Sequence, residues 1–172
     1  MTGLDPKTDR ILQIYCIITD YDLNVMDGDG WGVIVHQSRS TLHAMDEWCK
    51  RTHASTGLTA AVLSSSTTAE QAADGLLDHI KCYVPEPRKA LLAGNSVHAD
   101  RAFLVQPPYE KVMQHLHYRI LDVSSIKEAV RRWAPDKAVK DIPRKRGLHE
   151  AKADILESIE EARYYKSRFF SN

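Results

Sequence analysis

Cysteine is scarce, charge of one sign is not in excess and long apolar runs do not occur, and each absence removes a class of protein. The three cysteines, Cys16, Cys49 and Cys82, have no CxxC spacing and fall inside periodic segments. That argues against a disulfide scaffold and a zinc site, and they read as small apolar core residues of a reducing compartment. Lys plus Arg and Asp plus Glu both number 23, so no global basic field exists to hold long nucleic acid by neutralising phosphates. A nucleic-acid substrate for this chain would be short. No apolar run approaches the ~18 residues that span a bilayer, and Met1-Thr2-Gly3-Leu4-Asp5 carries neither a signal-peptide apolar core nor an Arg-rich transit helix. The expectation is a soluble intracellular protein with no membrane partner, cytoplasmic, or mitochondrial if a further segment precedes Met1.

What is present suffices for one domain: 172 residues with 43% hydrophobic content predict a single unit over 1–172. Arg10 to Thr19 reads as a buried strand, Asp20 to Gly30 as a polar connection and Trp31 to His36 as a second strand. The connection is too short for a crossover helix, so the two strands are expected to be antiparallel. Ser40 to Thr52 reads as one helix with Leu42, Met45 and Cys49 on a stripe, and Trp48 beside that stripe is first a core candidate. Thr67-x-x-Glu70 is a capping box, followed at helical spacing by Ala73, Leu76, Leu77, Ile80 and Val84 until Pro85 stops the helix. Because a helix precedes it, the strand at Lys89 to Ala93 is expected to run parallel to an earlier strand, giving an α/β fold with a mixed sheet. A helix from Ser96 to Pro107-Pro108, a short helix around Tyr109 to His115 and a strand at Tyr118 follow. Ser125-x-x-Glu128 caps a helix reaching Ala134-Pro135, and Asp136 to Gly147 is basic and aperiodic.

Three segments carry chemistry. Leu91 to Asp100 is an apolar run that breaks at Gly94-Asn95-Ser96 and restarts as a polar helix, so backbone N–H groups and the Ser96 hydroxyl face the same space as Asp100 one turn on. That pattern suits a phosphate-plus-metal corner, or an ordinary capped helix with a solvated Asp. Tyr118 to Ser124 forms a second strand-to-helix junction, and His149 precedes Asp154 at the start of the last helix.

Together, Gly94-Asn95-Ser96-x-x-x-Asp100, His117-Tyr118-Arg119-x-x-Asp122-Val123-Ser124 and His149-x-Ala151-x-x-Asp154 resemble, in this order, the oligoribonucleases, a branch of the DEDDh 3′-to-5′ exonucleases. The resemblance covers nearly the whole chain. It implies an RNase H-like fold of mixed sheet and flanking helices, and 3′-to-5′ hydrolysis of dinucleotides and very short RNA as the final step of RNA turnover. It further implies two Mg²⁺ or Mn²⁺ ions, Asp100 and Asp154 as metal carboxylates, and His149 as general base. Ser96, Arg119 and Ser124 are implied to hold a 5′-phosphate, with Tyr118 reaching from the second subunit of a homodimer. Leu4 and Trp48 are implied to wedge around the two bases, a sensible use of an aromatic since base stacking contributes ~1–3 kcal/mol and tolerates any base.

Two departures follow. The family's first strand ends in Asp-x-Glu immediately before Met-Thr-Gly-Leu-Asp, whereas this sequence begins at that Met, so two of four metal carboxylates and a central strand are expected to be missing. The family's Glu-x-Ala in the next strand is Gln13-Ile14-Tyr15 here, and the larger Tyr15 needs volume that an absent neighbouring strand would supply. Two functional readings remain open: a truncated exonuclease, or an impaired homologue that binds short oligonucleotides or only dimerises.

Overall fold

Alternating apolar residues at Gln13–Cys16 (β1) and Trp31–Ile34 (β2) pair as an antiparallel ladder, with Tyr15 opposite Gly32 and Cys16 opposite Trp31. This is a computed structural model, and it describes residues 1–144 and 150–170. The connection between the strands folds back on itself through the Thr19–Val25 bridge. It is pinned by the buried Asp27, whose carboxylate accepts from the Ile18 N–H at 2.8 Å and pairs with His79. Tyr15 finds its room across the ladder. A Cβ on Gly32 would lie 2.7 Å from Tyr15 Cε2, so glycine opposite the ring supplies the volume expected from an absent strand.

The segment expected as one helix over Ser40 to Thr52 is two, α1 (Arg39–His43) and α2 (Glu47–Ser55). Asp46 breaks it, because its carboxylate accepts from the Cys49 N–H at 2.7 Å and so caps a new helix. A further helix, α3 (Leu58–Ser64), follows Gly57, which takes up a positive φ of 77°. These pieces bury Leu12, Leu42, Met45, Cys49 and Val62 as one cluster.

The helix α4 (Ala69–Tyr83) has its capping box one residue later than expected, with Thr68 and Gln71 exchanging side-chain and backbone bonds at 3.2 and 2.9 Å. Its apolar stripe Ala73, Leu76 and Ile80 packs with Val35, Phe103 and Val112 in the largest core cluster. Cys82 lies off that stripe and is exposed, unlike the core residue its place in a periodic segment suggested.

The strand β3 (Leu92–Gly94) runs parallel to β4 (Ile120–Asp122), a later strand and not an earlier one. Between them lie α5 (Val97–Leu104) and α6 (Glu110–His115). After β4 come α7 (Val123–Trp133), α8 (Asp136–Lys140), which structures part of the stretch read as aperiodic, and α9 (Ala151–Tyr165) with a π-helical turn at Lys166–Phe170. The cap of α7 is Asp122, not Ser125: its carboxylate accepts from the Ser124 N–H at 2.9 Å. Helices α7 and α9 bury Val123, Val130, Ala162 and Tyr165 together.

The expected α/β architecture with parallel and antiparallel pairing is thus observed. Among the described residues, however, β1–β2 and β3–β4 are separate sheets. Helix α9 packs against both β1 and β3, so the two sheets share one cover. No described helix is long and apolar enough to cross a bilayer.

Candidate functional site

The parallel pair β3–β4 delivers two junctions to the same place, since adjacent parallel strands end side by side. After β3, Ser96 adopts a left-handed backbone with φ of 51°, and its side chain makes no cap to α5. Its N–H instead reaches across to Asp122 Oδ1 and to Ser124 Oγ, both at 3.0 Å, and the two serine hydroxyls lie 3.3 Å apart. Asp122 Oδ1 therefore takes the backbone donors of Ser96 and Ser124. On its other oxygen it meets His98 Nδ1 at 3.2 Å. The two hydroxyls and the exposed His98 ring remain as polar groups at the surface of this corner.

Asp100 lies one turn further along α5. Although the residue is exposed, protein atoms crowd its carboxyl and push it above the ordinary carboxylate range. Its own N–H, the Met1 amino group and His98 oppose the shift, and Asp122 adds to it. The Met1 end of the chain therefore comes close to Asp100. It is docked on α2, where His53 Nε2 lies 3.0 Å from the Met1 carbonyl. Thr2 is buried and its hydroxyl donates to Asp9 at 2.7 Å, which fixes the turn that carries Leu4. Leu4 is 78% exposed, and Trp48 on α2 is 55% exposed. Trp48 is thus no core residue. Two large apolar side chains are thus exposed, one on the Met1 turn and one on the helix against which that turn docks.

Asp154 is half-buried in the first turn of α9, where its carbonyl accepts from Ser158 Oγ at 2.8 Å. Helices α5 and α9 both pack on β3, so Asp100 and Asp154 belong to elements covering one strand. Hard divalent ions prefer carboxylate oxygens, and the crowded Asp100 carboxyl is a donor that a cation would hold ionised. Among the described residues no group of three or more His, Cys, Asp or Glu is gathered for a metal. His149 lies outside the described residues. Arg119 is exposed, with its guanidinium 4.8 Å from the centre of the Tyr118 ring, which in turn stacks on His117. Tyr118 is 67% exposed. Ser96 and Ser124 are therefore brought into contact, whereas Arg119 stands at the opposite end of β4 and hydrogen-bonds neither of them among the described residues.

Sequence reasoning passed over His98 and Asn95. Both lie inside quoted motifs, His98 facing Asp122 and Asn95 donating toward Ser124 Oγ at 3.3 Å. It also passed over Glu161, a fully buried acid whose only sequence signal is a charge between Ser158 and Ala162 on the apolar face of α9.

An exonuclease family model, that of RNase T, matches residues 1–162. An oligoribonuclease of Neisseria meningitidis serogroup B is 47% identical over 169 residues, 98% of this chain and 88% of that protein. A mitochondrial oligoribonuclease of Bos taurus is 44% identical over 170 residues, covering 99% and 70%, and that of Saccharomyces cerevisiae is 43% identical over 175 residues, covering 98% and 64%.

Proposed function

This chain belongs to the oligoribonuclease family of exonucleases, and from that premise we propose that it hydrolyses dinucleotides and very short oligoribonucleotides from the 3′ end, the last step of RNA turnover. The observation that carries the substrate class is the Ser96–Ser124 corner, two hydroxyls 3.3 Å apart at the ends of β3 and β4. A terminal phosphate needs donors, and because Asp122 already occupies the backbone amides there, the two hydroxyls are donors that the corner keeps for a ligand. A 5′-phosphate held at this point caps the substrate, and a longer strand would have to pass through the cap. Arg119 adds a fork of charged donors once it leaves the Tyr118 ring. Tyr118, exposed beside it, reaches the site of the second subunit in a homodimer.

Leu4 and Trp48 hold the two bases, and His149 removes the proton of the attacking water. Asp100 and Asp154 are the carboxylates that would hold Mg²⁺ or Mn²⁺. When bound, such ions supply charge neutralisation for the attacking and leaving oxygens of an in-line displacement. Two carboxylates offset only half of the four positive charges that two ions bring. The turn at Met1 opens beside Asp100, and β1 and β3 each pair with a strand on one edge only among the described residues. A strand ending in Asp-Leu-Glu ahead of Met1 would lie between them and supply two further carboxylates.

The test is cleavage of a 5′-phosphorylated diribonucleotide in Mn²⁺, comparing the 172-residue chain with one carrying that strand. The extended chain is expected to turn over at least ~10²-fold faster, as the loss of metal-site groups costs several kcal/mol of barrier. Equal rates would overturn the carboxylate count. Binding without cleavage by both proteins would favour the impaired, ligand-binding homologue.

A further inference from the structure

Behind the serine corner lies a buried polar chain that the reaction as described does not use. Glu161 is 0% exposed. Its Oε1 is taken by the Lys127 ammonium at 2.7 Å and the Tyr165 hydroxyl at 2.8 Å, and its Oε2 accepts from Asn95 Nδ2 at 3.1 Å. Burying a carboxylate is costly unless it is paired and hydrogen-bonded, and here both oxygens are engaged. Asn95 Nδ2 makes a second bond, to Ser124 Oγ at 3.3 Å, while its Oδ1 is buried with no partner among the described residues. The nitrogen alone therefore decides how this amide is turned. Flipping it would set Oδ1 against Glu161 Oε2, two acceptors face to face with no proton between them.

The consequence reaches the hydroxyl. Ser124 Oγ accepts from the Ser96 N–H at 3.0 Å and from Asn95 Nδ2. A hydroxyl has two lone pairs and one proton, so with both lone pairs taken it acts only as a donor, either to Ser96 Oγ 3.3 Å away or outward. A phosphate oxygen accepts such a proton. We propose that Asn95, oriented by the buried Glu161–Lys127 pair, is a positioning residue that commits the Ser124 hydroxyl to donating toward the substrate's terminal phosphate. This rests on the reading that Ser96 and Ser124 receive that phosphate, and it adds a specificity device: the pair, on α9 and α7, fixes preference for a phosphorylated end through side chains that do not themselves touch the ligand.

The readout is the ratio of Kd values for unphosphorylated and 5′-phosphorylated diribonucleotide, measured by calorimetry on the 172-residue chain. Charge-assisted donors make this ratio about tenfold or more in the wild type. Asn95→Leu removes the oriented donor at similar volume. The charge-conserving double variant Glu161→Gln/Lys127→Met keeps Asn95 but frees its amide to turn. Each is expected to bring the ratio to about threefold or less, whereas a purely structural loss weakens both ligands together and leaves it unchanged. Wild-type ratios in both variants, with Ser124→Ala reducing the ratio to one, would overturn the role of Asn95 and leave the serine reading standing. A ratio unmoved by Ser124→Ala would overturn that reading, and this inference with it. Should the variants misfold, the Asn95 side-chain amide protons of the wild type still decide: slow solvent exchange is expected, and exchange as fast as a solvated amide would overturn the proposal.

Discussion

Gly32→Ala in β2 is a small change with a large expected effect, because the space that a methyl would fill already belongs to Tyr15. Tyr15 and Gly32 are register partners across the β1–β2 ladder. The new Cβ would lie 2.7 Å from ring atom Cε2 and 3.4 Å from Cγ, so it meets the body of the ring and not a mobile tip. Carbon atoms settle at ~3.5–4.0 Å, so the ring must withdraw by about 1 Å. Its hydroxyl donates to the Asp29 carbonyl and its face lies 5.9 Å from Lys152 Nζ, and both contacts are disturbed by that withdrawal. Overpacking of this kind costs about 1–3 kcal/mol. At ~2–4 °C per kcal/mol for a chain of this size, the thermal midpoint should fall by roughly 2–12 °C. Gly32 has no positive φ, so in the presence of Tyr15→Ala the same substitution no longer meets the ring and removes the entropic cost of a strand glycine, a gain of roughly 0.5–1 kcal/mol. Urea unfolding followed by circular dichroism on the four proteins closes a double-mutant cycle, with a coupling of about 2 kcal/mol or more expected. Equal destabilisation by Gly32→Ala with and without Tyr15→Ala would refute the reasoning.

Light scattering at micromolar concentration should give twice the chain mass, since the exposed Tyr118 is assigned to a partner's site; a monomer would count against it. Trp48→Ala should weaken dinucleotide binding by roughly 5- to 150-fold without lowering thermal stability, because a stacked base contributes ~1–3 kcal/mol and the side chain is half exposed in the free protein. Calorimetry and a melting curve together check this, and a stability loss with unchanged affinity would return Trp48 to the core. Burial, aided by Asp27, pushes the Cys16 thiol from 9.0 up to about 12. Both folded and unfolded chains keep this group neutral below pH 9; above it the unfolded chain loses the proton first, so the contribution of Cys16 to stability falls as pH rises from about 9 to about 12. A thiol reagent at pH 8 should accordingly modify the exposed Cys82 and spare Cys16 and the buried Cys49, checked by peptide mass spectrometry.

Much of the architecture was legible because it follows from local pattern. The strands β1 and β2, the stripe of α4 and the Gly94-Asn95-Ser96 break are each contained within a dozen residues. What escaped depends on competition or on distance. Ser125 looked like a cap, but Asp122 wins α7 because one carboxylate oxygen satisfies the amides of both Ser124 and Ser96, the second arriving from 26 residues away. Asp46 interrupts a helix whose apolar spacing is continuous, since a good cap outweighs the stripe. Helix α3 has no charged face to mark it and begins at a glycine. Cys82 sits in a periodic segment but two residues beyond Ile80, on the far side of the helix. In the site, the residue types came from motif order, and the contact between Ser96 and Ser124 followed from the parallel pairing. The Asn95–Glu161 bond joins residues 66 apart, and no spacing announces it. His149 lies outside the described residues, so its place in the site rests on the motif alone.

The central claim is exonucleolytic removal of nucleotides from the shortest RNAs, and the direct measurement is hydrolysis of 5′-labelled oligoribonucleotides of two to seven residues in Mn²⁺ by the chain carrying an Asp-Leu-Glu strand ahead of Met1. The account predicts that the dinucleotide is consumed fastest, that rates fall as length grows, and that His149→Ala and Asp154→Ala each abolish turnover. Rates independent of length, or undiminished turnover in either variant, would contradict it.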